Sequence, residues 1–202
     1  MNKTNAFNEF INVFDCLPFA AILNKNIFCV HGGISRHLKS IDELKRIRRP
    51  IKVSGTMLND LLWSDPVDFI PETNTMKKPS KDGIRQVIIG GRVFKMMGEM
   101  NEEKEKERQR QIDAGYDFNF QRSCGCIFNK FALETFLKKF GFQCIIRGHE
   151  FTPDGILFGF DHQIITVFSS SNYQGGLQNV GKILYVTKYS VAIGKSYFNT
   201  NI

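Results

Sequence analysis

Two histidines stand where apolar runs end. His31 closes Asn26-Ile27-Phe28-Cys29-Val30-His31-Gly32-Gly33, and His149 closes Cys144-Ile145-Ile146-Arg147-Gly148-His149-Glu150. Short apolar runs bounded by glycine read as buried strands, so each imidazole falls where a strand gives way to a loop. In open α/β sheets, ligands gather at the carboxyl ends of strands. Two imidazoles placed this way could share one metal ion. The alternative is a pair of hydrogen-bonded structural histidines, and the pattern alone leaves both open.

Four segments carry more specific information: Phe28-Cys29-Val30-His31-Gly32-Gly33, Leu61-Leu62-Trp63-Ser64-Asp65-Pro66, Ile145-Ile146-Arg147-Gly148-His149-Glu150 and Val167-Phe168-Ser169-Ser170-Ser171-Asn172-Tyr173. In content and order they resemble the phosphoprotein phosphatase (PPP) family, the metal-dependent serine/threonine protein phosphatases. The resemblance runs from about Phe7 to Tyr189, apart from a stretch after Pro66. It implies an α/β fold, a calcineurin-like metallophosphoesterase sandwich, of which residues 1–202 carry the C-terminal half. The N-terminal motifs of that family, of the type GDxHG, GDxxDRG and GNHE, do not occur in this sequence.

Uncatalysed hydrolysis of a phosphate monoester is very slow. A pair of divalent ions overcomes this by activating water near neutral pH and clamping phosphate oxygens. By resemblance the complete site holds two such ions (Mn, Fe or Zn), with His31 and His149 on the same one. The reaction implied is hydrolysis of phosphoserine and phosphothreonine by direct attack of activated water. Arg122, before Ser123-Cys124-Gly125, matches the arginine that holds substrate phosphate, a role suited to a planar fork of donors. Asp65 would orient a metal ligand or that arginine. Tyr173 matches a tyrosine overhanging the phosphate pocket, although Ser169-Ser170-Ser171 stands where many relatives have Ser-Ala-Pro. A surface arginine at a strand start, a helix-ending Asp-Pro turn and a turn aromatic are the plainer readings of these three. Arg147 is expected to be structural, paired with a nearby carboxylate. Phosphoprotein substrates and a regulatory subunit are the partners implied. A non-catalytic, partner-binding relative of the fold and a truncated gene product remain alternatives.

The chain has 202 residues, 42% hydrophobic, with a net charge of +7. The basic run Lys45-Arg46-Ile47-Arg48-Arg49 precedes Pro50, as cations do at helix ends, and no nucleic-acid motif accompanies it. No apolar run approaches the roughly 18 residues of a membrane span, and no signal-peptide core is present. A cytoplasmic or nuclear protein that binds neither nucleic acid nor membrane is expected. Five cysteines, an odd number, argue against a disulfide framework. Cys16, Cys29 and Cys144 lie in apolar runs and are expected to be buried; Cys124-Gly125-Cys126 reads as structural.

The elements that must position these groups follow from periodicity. Phe7, Phe10, Ile11 and Phe14 predict an amphipathic helix over residues 5–15. Residues 19–23 and 27–30 predict a hairpin, and residues 40–49 a helix with a Ser40/Glu43 capping box. A helical turn is expected over 57–63 and a helix over Phe131–Phe140, ended by Gly141. Strands are expected at 142–147, 156–160, 163–168, 182–187 and 190–197. Between about 67 and 120 a charged insertion is expected. It holds a loop marked by Pro71, Pro79 and Gly83, a hairpin turning at Gly90-Gly91, and a solvated helix or linker over Glu102–Gln111. His37 and His162 are expected at the surface. Half a domain should leave a sheet edge and apolar helix faces uncovered.

Overall fold

The computed structural model describes residues 3–68, 70, 84–89, 92–97, 102–187 and 191–194. In chain order the elements are α1 (Lys3–Phe14), β1 (Ala20–Leu23), β2 (Ile27–Val30), α2 (Ile41–Arg46), α3 (Thr56–Trp63) and β3 (Asp65–Pro66). Then come β4 (Ile84–Ile89), β5 (Arg92–Met97), α4 (Glu102–Asp113), β6 (Tyr116–Phe118), β7 (Cys126–Phe128) and α5 (Lys130–Phe140). The last are β8 (Cys144–Arg147), β9 (Ile156–Gly159), β10 (Ile164–Val167), β11 (Leu184–Val186) and β12 (Val191–Ile193).

A five-stranded sheet of order β1-β2-β8-β10-β9 forms the spine. The β1–β2 hairpin turns through Asn24 and Lys25, both at positive φ. β2 and β8 pair in parallel with Val30 opposite Arg147, and β8 pairs in parallel with β10. The strands that carry the two histidines are therefore hydrogen-bonded neighbours running the same way. Parallel strands need a long crossover, and the chain supplies α5 before β8. The Asn129 side chain accepts from Ala132 N at the start of α5, and Gly141 ends it in the left-handed region at φ 73°.

The core lies between this sheet and the helices. Phe28 meets Phe136 and Phe142 with ring centroids 5.4 and 5.3 Å apart. Ile145 and Ile164 from the sheet, Leu133 and Leu137 from α5, and Leu58 and Leu61 from α3 complete it. α3 crosses hard against the end of β2: a Cβ on Gly32 would lie 2.4 Å from the Leu62 carbonyl carbon. That approach delivers Trp63, Ser64 and Asp65 to the histidine loop. A second sheet, β3-β7-β6, fixes Asp65 opposite Ile127.

Several expectations are corrected. The helix expected over 40–49 stops at Arg46, with Ile47 extended; Pro50 disfavours helix at the residue before it. The Ser40 side chain makes no cap bond, and Glu43 accepts from Lys39 N instead. Strand β8 begins at Cys144 because Phe142 N still bonds to Leu137 O of α5. Cys16 is exposed, and Cys29 and Cys144 are only partly buried. Strand alternation puts Cys29 and Cys144 on the face opposite Phe28 and Ile145. Strand β6 was not expected, and the strand that the plainer reading starts at Arg122 starts at Cys126. The hairpin β4–β5 is present, while its Gly90-Gly91 turn and the loop of Pro71, Pro79 and Gly83 lie outside the described residues. His37 and His162 are exposed, as expected.

Phe7, Phe10, Val13 and Phe14 of α1 are exposed, as are Ile22 and Leu23 of edge strand β1. Asn129→Ala should cost about 1 kcal/mol through the lost cap. Gly32→Ala should cost more, because the added methyl meets backbone that cannot rotate away. Urea unfolding of both variants checks the ranking.

Candidate active site

The β2–β8 register sets the site. Gly148 N donates to His31 O at 3.1 Å, so the two strand ends stay joined past the last ladder pair. The His31 and His149 rings meet edge-on, centroids 5.1 Å apart. Trp63 also stands edge-on to His149, at 5.4 Å. His149 sits at φ 70°, left-handed backbone that costs a non-glycine residue of order 1–3 kcal/mol. Its Nε2 is buried with no hydrogen-bond partner among the described residues.

Asp65 ties the remaining groups together. Its Oδ1 accepts from Arg147 Nη2 at 2.8 Å and lies 3.7 Å from His149 Nε2. Its Oδ2 accepts from Arg122 Nε at 3.0 Å and Asn119 Nδ2 at 2.9 Å. Arg147 is fully buried at the side chain. It also donates to Gly32 O, Ser64 O and Glu150 Oε2. One guanidinium thus joins the first histidine loop, the Trp63 string and the second histidine loop. The expected structural role of Arg147 is met, with Asp65 and Glu150 as its carboxylates. Arg122 spends its Nε on Asp65; its two terminal nitrogens have no partner among the described residues. Its side chain is 34% exposed, so that pair of donors can meet an anion.

Burial pushes the His149 imidazole down to about 4 from an ordinary 6.5. Arg122, Arg147 and His31 add to this, and Asp65 opposes it. Burial, then Arg147 and Arg122, lower His31 as well. Both rings are therefore held neutral near pH 7, the state a metal requires. Two neutral imidazoles and an orphaned Nε2 fit a divalent ion in part. Among the described residues no group of three or more His, Cys, Asp or Glu is arranged to hold one.

The structure brings His31, His149, Asp65 and Arg122 together. Tyr173 packs on Phe168 and Phe151 at 5.1 and 6.4 Å, with Phe151 two residues beyond His149. Asn119 was missed in the sequence, while Trp63 and Glu150 lie within the Trp63 string and the second histidine segment without an assigned role there. Asn119 carried no motif signal, standing between Phe118 and Phe120 in a short segment just after the charged run.

The calcineurin-like phosphoesterase family model matches residues 1–153. The chain belongs to that family. Its members generally use divalent metals. Among solved structures, a protein serine/threonine phosphatase from Saccharomyces cerevisiae, with similarity to human phosphatase PP5, superposes with a TM-score of 0.64 at 19% identity. The match covers 98% of this chain and 52% of that one, so this calcineurin-like phosphoesterase chain spans about half the length of the structure it matches. At that identity the likeness carries the fold. Among the described residues no helix is long and apolar enough to cross a membrane.

Arg147→Met should destabilise by about 3–5 kcal/mol, because it leaves Asp65 and two backbone carbonyls buried without their donor; thermal and urea unfolding check it. The pH response follows from two groups. For His149 the folded value lies below the unfolded one. Its stability is present above pH 6.5 and is lost as pH falls toward 4. Asp60, buried with Ser35 as hydrogen-bond donor, is pushed up to about 6 from 3.8. Its contribution is full below 3.8 and is lost as pH rises through 6. His149→Gln should therefore flatten the acid loss of unfolding free energy between pH 6.5 and 4, and Asp60→Asn should steepen it. Urea melts across that range read both slopes.

Proposed function

We propose that the chain is part of a PPP-type serine/threonine protein phosphatase, supplying one edge of its metal site and its phosphate-holding arginine. The observation that carries this is the convergence of His149 and Arg122 on Asp65 at one end of the sheet, with the His31 ring edge-on to His149. His31 and His149 would hold one divalent ion through neutral imidazole nitrogens. When bound, a pair of Mn, Fe or Zn ions supplies Lewis acidity and an activated water. Arg122 offers its two terminal nitrogens to phosphate oxygens while Asp65 fixes its Nε. Asp65 is thus a positioning residue for both the arginine and His149. Tyr173 borders the substrate from the Phe151–Phe168 cluster. The remaining metal ligands and the acid for the leaving group come from outside the described residues. Phosphoproteins in the cytoplasm or nucleus are the substrates of this reading, with a regulatory subunit as partner.

A second reading, a non-catalytic module, draws on the two-donor ligand set and the exposed apolar face of α1. The experiment is complementation. The chain is mixed with the N-terminal half of a PPP catalytic domain and manganese, and hydrolysis of a phosphoserine peptide is followed. Turnover is expected only in the mixture. It should fall about 10- to 100-fold or more in His149→Asn, and Arg122→Lys should raise KM. No turnover in the mixture, with equal manganese uptake by wild type and the His31→Asn/His149→Asn double variant, would favour the second reading.

A further inference from the structure

Helix α4 is almost wholly charged or amide, and such helices are ordinarily solvated. Here its contacts reach inward. Arg108 grips Asp117 of β6 at two points, Nε to Oδ1 at 3.0 Å and Nη2 to Oδ2 at 2.7 Å. These side chains are only 12% and 3% exposed. On the same helix Glu107 accepts from Arg36 Nη1 at 3.1 Å. Arg36 follows His31 by five residues on the loop leaving β2. Two residues beyond Asp117 lies Asn119, 1% exposed. Its Nδ2 donates to Asp65 Oδ2, and its Oδ1 accepts from Arg122 N at 3.2 Å. α4 therefore spans from the histidine loop to the hairpin that carries Arg122.

We propose that α4 is a cross-brace that sets the Arg122 guanidinium through Asp117 and Asn119, so that phosphate affinity is tuned from a helix outside the phosphate-facing cluster. Arg108, Asp117 and Asn119 are positioning residues. The physical gain is preorganisation. A free arginine side chain carries substantial rotamer entropy, and ordering it before the anion arrives removes part of that loss from binding. A two-point arginine–carboxylate fork transmits orientation, which a single point charge would not. The inference rests on reading Arg122 as a phosphate ligand, so its test has one arm that needs no phosphate.

The first arm follows the Arg122 Nε–H resonance by proton–nitrogen NMR in wild type, Arg108→Gln and Asn119→Ala. Arg108→Lys, which keeps the charge and loses the fork, serves if Arg108→Gln does not fold. The second arm titrates inorganic phosphate into the same proteins and into an Arg122→Lys background. The brace predicts faster exchange of Nε–H in the variants. It also predicts a rise in phosphate Kd of about three- to tenfold that disappears in the Arg122→Lys background. An unchanged Nε–H with a lowered melting temperature overturns the proposal, since α4 would then be merely structural. So does a loss of affinity that is additive with Arg122→Lys. A responsive Nε–H in a protein that binds no phosphate upholds the brace and overturns the assignment of Arg122.

Discussion

The Asp65 carboxyl, held between Arg147 and Arg122, is the contact on which the rest of the site depends. A buried guanidinium is tolerated only when its donors are matched. Arg147 meets that demand with two carboxylates and two backbone carbonyls drawn from three separate loops. Satisfying one charge therefore fixes the relative positions of Gly32, Ser64, Asp65 and Glu150. Once Asp65 is fixed, its second oxygen has one direction left, and Arg122 and Asn119 occupy it. The order of cause runs from desolvation of Arg147 to the pose of Arg122, not the reverse.

The backbone makes that network possible at low cost. Parallel pairing of β2 with β8 brings two distant segments to the same end of the sheet in register. Glycine at position 32 lets α3 come close enough for the Trp63 string to close over the strand ends. Both features rest on backbone pairing and close packing rather than on an ion pair. Packing places the loops, and the ion pairs then select one arrangement of them.

How much of this the sequence discloses depends on length and period. Strands β2 and β8 are legible because each is a continuous apolar run ended by glycine, and α5 is legible from its spacing and its Gly141 stop. The second sheet is not, since β3 has two residues and includes a proline, while β6 and β7 have three residues each. Such strands exist by virtue of their partners, and no local window shows the partner. The same blindness hides Asn119 and the inward reach of α4. Asp117 looks like one more solvated charge until Arg108 is seen across from it. Tyr173 shows the converse: its motif is recognisable, yet its neighbours, Phe151 and Phe168, are set by how two loops fold over each other.

His149 concentrates the costs that the fold does not recover on its own. Its left-handed backbone is strained, its ring is largely removed from water, and its Nε2 has no donor or acceptor to meet among the described residues. An unpaired buried polar atom costs about 1–3 kcal/mol, comparable with the strain. A glycine at the same turn would avoid both. Asp65 lies too far at 3.7 Å to form a hydrogen bond, because Arg147 and Arg122 hold it from the other side. The network thus leaves one lone pair bare while satisfying everything around it. A neutral imidazole with a bare nitrogen, beside a second neutral imidazole, is poised for a cation that takes electron pairs and needs no proton. The metal role proposed for His149 would give that nitrogen a partner.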